Sequence, residues 1–248
     1  GSEMCIRDSP DTMEAEAVHR LLVIAKEADA PVMVVHLTNK KAFEEVMRAR
    51  ANGQEVYAET CPQYLLLDDS VYAKPDFQGA VYVCAPPIRK KEDQDCLWEA
   101  LSREDIQTVA TDQCSFTLAQ KALGKDDFTK IPGGLPGVQT RGTLLYTYGV
   151  KEGRITQEQM CKLLSENPAK LYGVYPQKGV LAPGSDADIV VLDPEKESVI
   201  SAATHAYNTD NNPFEGFRLR CGIDKVFLRG NLAVDDLSLI HISEPTRP

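Results

Sequence analysis

The chain has 248 residues, of which 43% are hydrophobic and 26% charged, as expected for a soluble globular protein with a sizeable core. Its net charge of −10 would repel a phosphate backbone, which argues against nucleic acid as a partner. No apolar run is long enough to cross a bilayer, so we expect no membrane association. The seven cysteines are odd in number and irregularly spaced, which favours reduced thiols and a cytoplasmic location over a disulfide framework.

Both ends of the chain differ from the sequence beside them. The segments GSEMCIRDS (1–9) and LSLIHISEPTRP (237–248) resemble translated sequencing-adapter read-through. We therefore expect artefactual extensions at 1–9 and 237–248, and assign Cys5 and His241 no functional role.

Between these ends, predicted helices and strands alternate. Apolar residues at helical spacing predict a helix over 11–29, which Ala30-Pro31 ends. VMVVHL (32–37) is typical of a buried strand, and Thr38 is the expected N-cap of a helix that reaches Asn52 and stops at Gly53. The same reasoning predicts a strand at 55–60, an extended segment at 81–86, a helix at 91–103, a strand at 106–112, a long loop at 113–136, and helices at 138–150 and 156–171.

From Val180 onward the pattern changes to that of a small β unit. ADIVVLD and DKVFLRGNLAV predict strands separated by an irregular stretch at 195–220. Together with the alternating elements before it, this predicts an α/β fold in which residues 10–179 form part of a (β/α) barrel and residues 180–236 form a small β unit.

Polar residues follow two of the predicted barrel strands. His36 and Asp112 lie 112 − 36 = 76 residues apart, each at the end of a strand, where barrel enzymes place their chemistry. Zinc accepts imidazole and carboxylate, but from position alone a core histidine and an N-cap aspartate are the simpler interpretations, and two ligands cannot close a zinc site. The glycines of KIPGGLPG (130–137) permit close approach of a ligand or form a simple wide turn, and CAPPIR (84–89) presents a rigid backbone or ends a strand.

Taken together, the motifs of this chain resemble those of dihydropyrimidinases and microbial hydantoinases. The resemblance runs in order from about residue 10 to 236. Its segments are HLT (36–38), ETCPQYLLLDD (59–69), CAPPIR (84–89), TDQCSF (111–116), KIPGGLPG (130–137), ENPAKLYGVYPQKG (166–179), GSDADIVVLDP (184–194) and NNPFEGF (211–217). GSDADIVVLDP occurs across the amidohydrolase superfamily, whereas ETCPQYL, TDQCSF, IPGGLPG and NPFEG are much narrower.

The resemblance implies a site as well as a fold. The family has a (β/α)₈ barrel with a small β-sandwich, and two zinc ions bridged by hydroxide and a carboxylated lysine. His36 matches its last metal-binding histidine, and Asp112 matches a metal-binding aspartate that also transfers the proton. Ala85 and Gly133 match positions, often Ser and Asn, whose main chain holds the cyclic amide. Gln113 stands where many members have His.

The implied reaction is hydrolysis of a dihydropyrimidine or hydantoin ring to an N-carbamoyl amino acid by zinc-activated hydroxide, in a homotetramer. No H-x-H pair occurs in the sequence, and the bridging lysine, the preceding metal histidine and the substrate-binding tyrosine would lie before residue 10. We therefore expect the 248-residue chain alone to be inactive and poorly stable.

Two other functions stay open at this point. One is a non-catalytic relative acting as a protein-binding scaffold, although a scaffold has no need of both His36 and Asp112. The other is an allantoinase- or dihydroorotase-type hydrolase, although ETCPQYL and NPFEG favour the pyrimidine and hydantoin branch.

Overall fold

The computed structural model describes residues 10–236 and the backbone of Ser238 and Leu239. Most of the two predicted extensions, with Cys5 and His241, therefore lies outside the described residues. Ser238–Leu239, inside the second extension, pairs with the strand before it.

A parallel sheet lies at the centre of the first part of the fold. Strands β1 (Val32–Val34), β2 (Val56–Thr60) and β3 (Thr108–Val109) lie in the order β1-β2-β3, with Val32 opposite Val56 and Thr60 opposite Val109. The helices of this part are α1 (Asp11–Glu27) before β1, α2 (Lys40–Ala51) between β1 and β2, and α3 (Pro62–Leu66) and α4 (Lys91–Ser102) between β2 and β3. The predicted alternation of parallel strands and helices is thus present.

The chain after β3 is mainly helical up to residue 171. It contains α5 (Leu118–Lys121), α6 (Arg141–Leu145), α7 (Gln157–Cys161) and α8 (Asn167–Leu171). Single π turns at Tyr146–Val150 and Lys162–Glu166 continue α6 and α7, so the two predicted helices exist but start slightly later. Short 3₁₀ helices lie at Asp69–Ala73, Gln78–Tyr82, Ala122–Gly124 and Phe128–Lys130. None of the helices in the described part of the chain is long and apolar enough to cross a bilayer.

Antiparallel strands follow, as the change of pattern at Val180 predicts. The strands are β4 (Ile189–Asp193), β5 (Ser198–Val199), β6 (Arg218–Leu219), β7 (Gly222–Leu228), β8 (Asn231–Asp235) and β9 (Ser238–Leu239). One sheet has the order β4-β7-β8-β9, and β5 pairs with β6.

The irregular segment at 195–220 packs against the helical layer. Phe214 and Leu219 are buried in one apolar cluster with Tyr72, Ile88 and Leu144. This segment therefore reaches back over the elements that carry the candidate site.

The main core lies between the parallel sheet and helices α1, α2 and α4. Its members include Leu22, Val46, Ala58 and Leu101, all nearly inaccessible to solvent. Burial of a Leu or Val side chain such as these contributes roughly 1.5–3 kcal/mol to stability, and burial of the Ala58 methyl group less. Trp98 belongs to the same core, and its indole N–H donates to the Leu65 carbonyl over 3.0 Å. The core thereby fixes the sheet whose strand ends carry His36 and Asp112.

Three local predictions are wrong. The predicted loop at 113–136 is not irregular throughout, because it contains the short helix α5 and two 3₁₀ helices. Asn39, rather than Thr38, caps α2, because the Asn39 side chain accepts from the Ala42 N–H over 2.9 Å while the Thr38 hydroxyl bonds to Glu14. The segment 81–86 is not extended throughout, because Val81 and Tyr82 end the 3₁₀ helix at Gln78–Tyr82.

We expect the isolated chain not to melt cooperatively as a monomer. The outer edge of β1 pairs with no strand among residues 10–236, and Val35 and Ile24 are 43% and 61% exposed. Open strand edges and exposed apolar side chains favour association over a single folded monomer. Circular dichroism melts at several concentrations, with sedimentation velocity, test this. One sharp, concentration-independent transition of a monomer would contradict it.

Candidate functional site

His36 and Asp112 both lie just beyond the ends of parallel strands, where the backbone turns sharply. His36 follows β1 with φ of 42°, and Asp112 follows β3 with φ of 49°. Few non-glycine residues adopt the left-handed region, although His and Asp do so more readily than most. His36 is half-buried, and Asp112 is exposed. Both candidate residues therefore stand at the same edge of the sheet.

The described residues do not complete a metal site. The strands that carry His36 and Asp112 flank β2, so roughly 10 Å separates them at ordinary strand spacing. No group of three or more His, Cys, Asp or Glu side chains in the described part of the chain could hold a metal ion. Since structural and catalytic zinc sites take at least three protein ligands, His36 and Asp112 alone do not fit a complete centre.

Cys61 and the other histidines among the described residues have surroundings that argue against a role as metal ligands. Burial raises the pKa of Cys61, which follows β2, well above its ordinary value, so its thiol stays protonated. His19 pairs with Glu45 over 2.9 Å, and Nε2 of His205 lies 2.8 Å from the Thr209 carbonyl. Among the histidines in the described residues, His36 remains the candidate ligand.

Ala85 and Gly133, predicted to bind substrate through their main chain, lie side by side. A Cβ built on Gly133 would lie 3.8 Å from Cys84 Cα and 3.9 Å from Ala85 N. Next to them, the Gly134 N–H donates to the Val83 carbonyl over 2.9 Å. Ala85 and Gly133 are themselves exposed. The two segments thus present adjacent, accessible backbone groups.

Asp112 lies close to this pair of segments. Gln113 forms a parallel bridge with Leu135, and the Cys114 N–H donates to the Leu135 carbonyl over 3.1 Å. Burial, with a smaller contribution from the Asp112 carboxylate, raises the pKa of Cys84 to about 12. The structure therefore brings Asp112, Ala85 and Gly133 to one place, and puts His36 at the end of a different strand.

Gln113 stabilises the loop that follows. Its side-chain oxygen accepts from the backbone N–H of Gly137 over 3.2 Å and of Val138 over 2.9 Å. The glutamine oxygen thus connects the chain after β3 to the backbone just before α6. In the family that the sequence resembles, many members have His at this position.

A buried network that the sequence did not reveal holds the loop after His36. The Glu14 carboxylate accepts from the Thr38 N–H over 2.9 Å, from Asn39 Nδ2 over 2.8 Å, and from the Thr38 hydroxyl. It also pairs with Arg89 over 3.0 Å, and these two charged side chains are only 11% and 9% exposed. Thr38 follows His36, and Arg89 follows Ala85. The Glu14–Arg89 ion pair therefore joins the loop after His36 to the loop after Ala85.

Known proteins are similar to this chain in sequence and in overall fold. Residues 7–233 match the model of the amidohydrolase family. The chain is 47% identical to a D-hydantoinase of Streptomyces coelicolor over 225 residues, which are 90% of this chain and 48% of that relative. The chain spans about half the length of the curated relatives it matches.

Solved structures show the same fold. A dihydropyrimidinase from Brevibacillus agri is 45% identical with a TM-score of 0.92, over 93% of this chain and 50% of that one. A D-hydantoinase (dihydropyrimidinase) from Thermus sp. is 40% identical with a TM-score of 0.94, over 97% of this chain and 52% of that one. The predicted α/β fold, part of a (β/α)₈ barrel with part of a small β-sandwich, is confirmed.

Alanine substitutions at Gly133 and Gly134 test whether the loop tolerates a Cβ atom at each position. A Cβ at Gly134, where φ is 152°, would lie 2.3 Å from the Cys114 carbonyl oxygen, so Gly134→Ala must displace the loop. Gly133→Ala meets only ordinary contacts. We expect Gly134→Ala to speed trypsin cleavage after Lys125 and Lys130 by about tenfold, since overpacking strain of about 1–3 kcal/mol favours local opening.

Limited digestion followed by mass spectrometry measures this difference, with Gly133→Ala as the matched control. Equal cleavage rates in the two variants would show that Gly134 does not limit the loop.

Proposed function

Because this chain belongs to the amidohydrolase family, we propose that the complete enzyme to which it contributes opens a cyclic amide, a dihydropyrimidine or hydantoin ring, to an N-carbamoyl amino acid. The observation that carries the proposal is the placement of the Ala85 and Gly133 main chains next to each other and near Asp112. D-hydantoinases and a dihydropyrimidinase that share this fold at 40–47% identity support the choice of substrate class.

In this proposal, the chain's own residues bind the ring and move a proton. The exposed N–H and C=O groups at Ala85 and Gly133 hydrogen-bond the amide edge of the ring and fix its orientation. The Asp112 carboxylate accepts a proton from the water that attacks the ring carbonyl carbon. As the ring C–N bond breaks, Asp112 delivers that proton to the leaving nitrogen. The products are a carboxylate and an N-carbamoyl amine in one open chain.

We propose zinc as the metal of the complete enzyme, with His36 and Asp112 as two of its ligands. A neutral imidazole and a carboxylate are donors that zinc accepts. The remaining ligands are not among the described residues, in keeping with a chain that spans about half of its relatives. We further propose a cytoplasmic homotetramer, with a barrel part at 10–179, a β-sandwich part at 180–236, and extensions foreign to the fold at 1–9 and 237–248.

The 248-residue chain alone should not hydrolyse hydantoin or dihydrouracil, even with added zinc, because two ligands do not hold a metal ion in catalytic geometry. Chromatographic detection of the N-carbamoyl product tests this. Turnover that a chelator abolishes would contradict the expectation.

A chimera tests the proposed activity directly. In it, residues 10–236 replace the matching segment of the Streptomyces coelicolor D-hydantoinase, which supplies the rest of the enzyme. We expect the chimera to bind zinc and open hydantoin. Asp112→Asn should lower kcat by about 100- to 10,000-fold, the usual contribution of a general acid–base group. His36→Ala should lower the zinc content measured by mass spectrometry.

Asp126→Asn is the matched control, because Asp126 is an exposed carboxylate on the same loop. It should leave both zinc content and kcat unchanged. A folded, zinc-loaded chimera that opens neither hydantoin nor dihydrouracil would contradict the proposal, as would full activity of Asp112→Asn.

A further inference from the structure

Lys121 is a buried lysine in the part of the chain that carries the candidate site. It ends the short helix α5, and only 2% of it is exposed. Lysine is almost never fully buried unless its ammonium has partners. Its position in the sequence, between Gln120 and Ala122, gives no sign of burial.

The partners of the Lys121 ammonium are three backbone carbonyls. Nζ donates to Pro132 O over 2.7 Å, to Val83 O over 2.9 Å and to Gly134 O over 3.0 Å. An ammonium has three N–H donors, so all of them are used. The Phe116 ring covers the charge, with its centroid 5.7 Å from Nζ.

The three carbonyls come from the two segments that present the ring-binding backbone. Val83 is two residues before Ala85, while Pro132 and Gly134 flank Gly133 on either side. Val83 O also accepts from the Gly134 N–H, so the same carbonyl joins both segments a second time. Lys121 therefore connects the Ala85 segment to the Gly133 segment through one nitrogen atom.

The helix that carries Lys121 is itself anchored. The Leu118 N–H donates to Asp210 Oδ1 over 2.8 Å, and the Phe116 carbonyl accepts from Thr209 Oγ1 over 2.9 Å and Asn211 Nδ2 over 2.8 Å. The segment around NNPFEGF thus fixes α5 from outside. Lys121 reaches inward from this fixed base.

We infer that Lys121 is a positioning residue for substrate: its ammonium holds the main chains of Ala85 and Gly133 at the separation that binds a cyclic amide. The inference rests on the proposed function. Lys121 is inaccessible and bonds to three carbonyls, so it acts through these segments and not by touching the ring.

The charge state of Lys121 agrees with this role. Burial lowers the pKa of Lys121 to about 8, and no carboxylate in the described residues pairs with it. At neutral pH the ammonium form still predominates, so a hydrogen is available for each of the three carbonyls.

The test uses the chimera of the preceding section with Lys121→Met, which keeps the length of the side chain and removes its charge. We expect kcat/KM for hydantoin to fall by about 100-fold, mainly through KM, because misplaced binding groups weaken substrate binding. Amide hydrogen exchange provides a second measurement that does not depend on activity. The Gly134 and Cys114 amides should exchange at least about tenfold faster, and the Gln107 amide in the sheet should not change.

Lys125→Met is the control, because Lys125 is an exposed lysine four residues along the same segment. It should leave KM and the exchange rates unchanged. If Lys121→Met does not fold, Lys121→Arg replaces it. Its planar guanidinium keeps the charge but cannot aim donors from one nitrogen at three carbonyls, so KM should again rise.

Three results would overturn the inference: unchanged exchange at Gly134, equal acceleration at Gly134 and Gln107, or a fall in kcat at constant KM. An inactive chimera with unaltered Lys121 would contradict the proposed function instead. The exchange of Gly134 would then still decide whether Lys121 holds the two segments.

Discussion

Parallel pairing of β1, β2 and β3 is the constraint on which the candidate site depends, because parallel strands end at the same edge of a sheet. Pairing continues beyond the strands, since the Leu37 N–H donates to Glu59 O over 2.7 Å and the Ala110 N–H to Thr60 O over 2.9 Å. These bonds hold the backbone close to His36 and Asp112. A left-handed residue costs about 1–3 kcal/mol, and the sheet keeps both residues in that conformation.

Buried charged side chains connect the loops of the candidate site to one another. Glu14 and Arg89 join the loop after His36 to the loop after Ala85, and Lys121 joins the segments of Ala85 and Gly133. Burying a charge is favourable only when its hydrogen-bonding capacity is met. Removing one partner of such a buried pair costs about 3–5 kcal/mol, so these contacts also restrict the loops to one arrangement.

The sequence predicted what local pattern and motif resemblance can encode. Apolar spacing located α1 and α4 to within two residues of their observed ends, and the strand-end positions of His36 and Asp112 followed from the alternation of elements. It failed where a tertiary contact competes with a local one. Thr38 has the chemistry of an N-cap, but the buried Glu14 carboxylate takes its hydroxyl, and Asn39 caps α2 instead.

Lys121 shows the same limit more strongly. Three carbonyls from positions 83, 132 and 134 make its burial favourable, and only the folded chain brings them to one point. No periodicity in the sequence could report that convergence. Gln113 is similar, because Gly137 and Val138, to which it bonds, lie 24 and 25 residues further along the chain, and local pattern does not define the course of the loop between them.

The proposed site has a ring-binding half and a metal-binding half, and the described residues hold the first in place more completely than the second. The ring-binding half, with Ala85, Gly133 and Asp112, is held by bonds between described residues, including those of Lys121 and Gln113. The metal-binding half has His36 beyond β1, whose outer edge has no partner strand in the described residues, and no third ligand among them. On the proposed function, the chain contains a preorganised recognition surface for the ring, whereas metal binding depends on contacts outside it. On the proposed roles, substrate recognition and metal binding are structurally separable in this half of the fold, although Asp112, a proposed metal ligand, lies beside the backbone proposed to bind the ring.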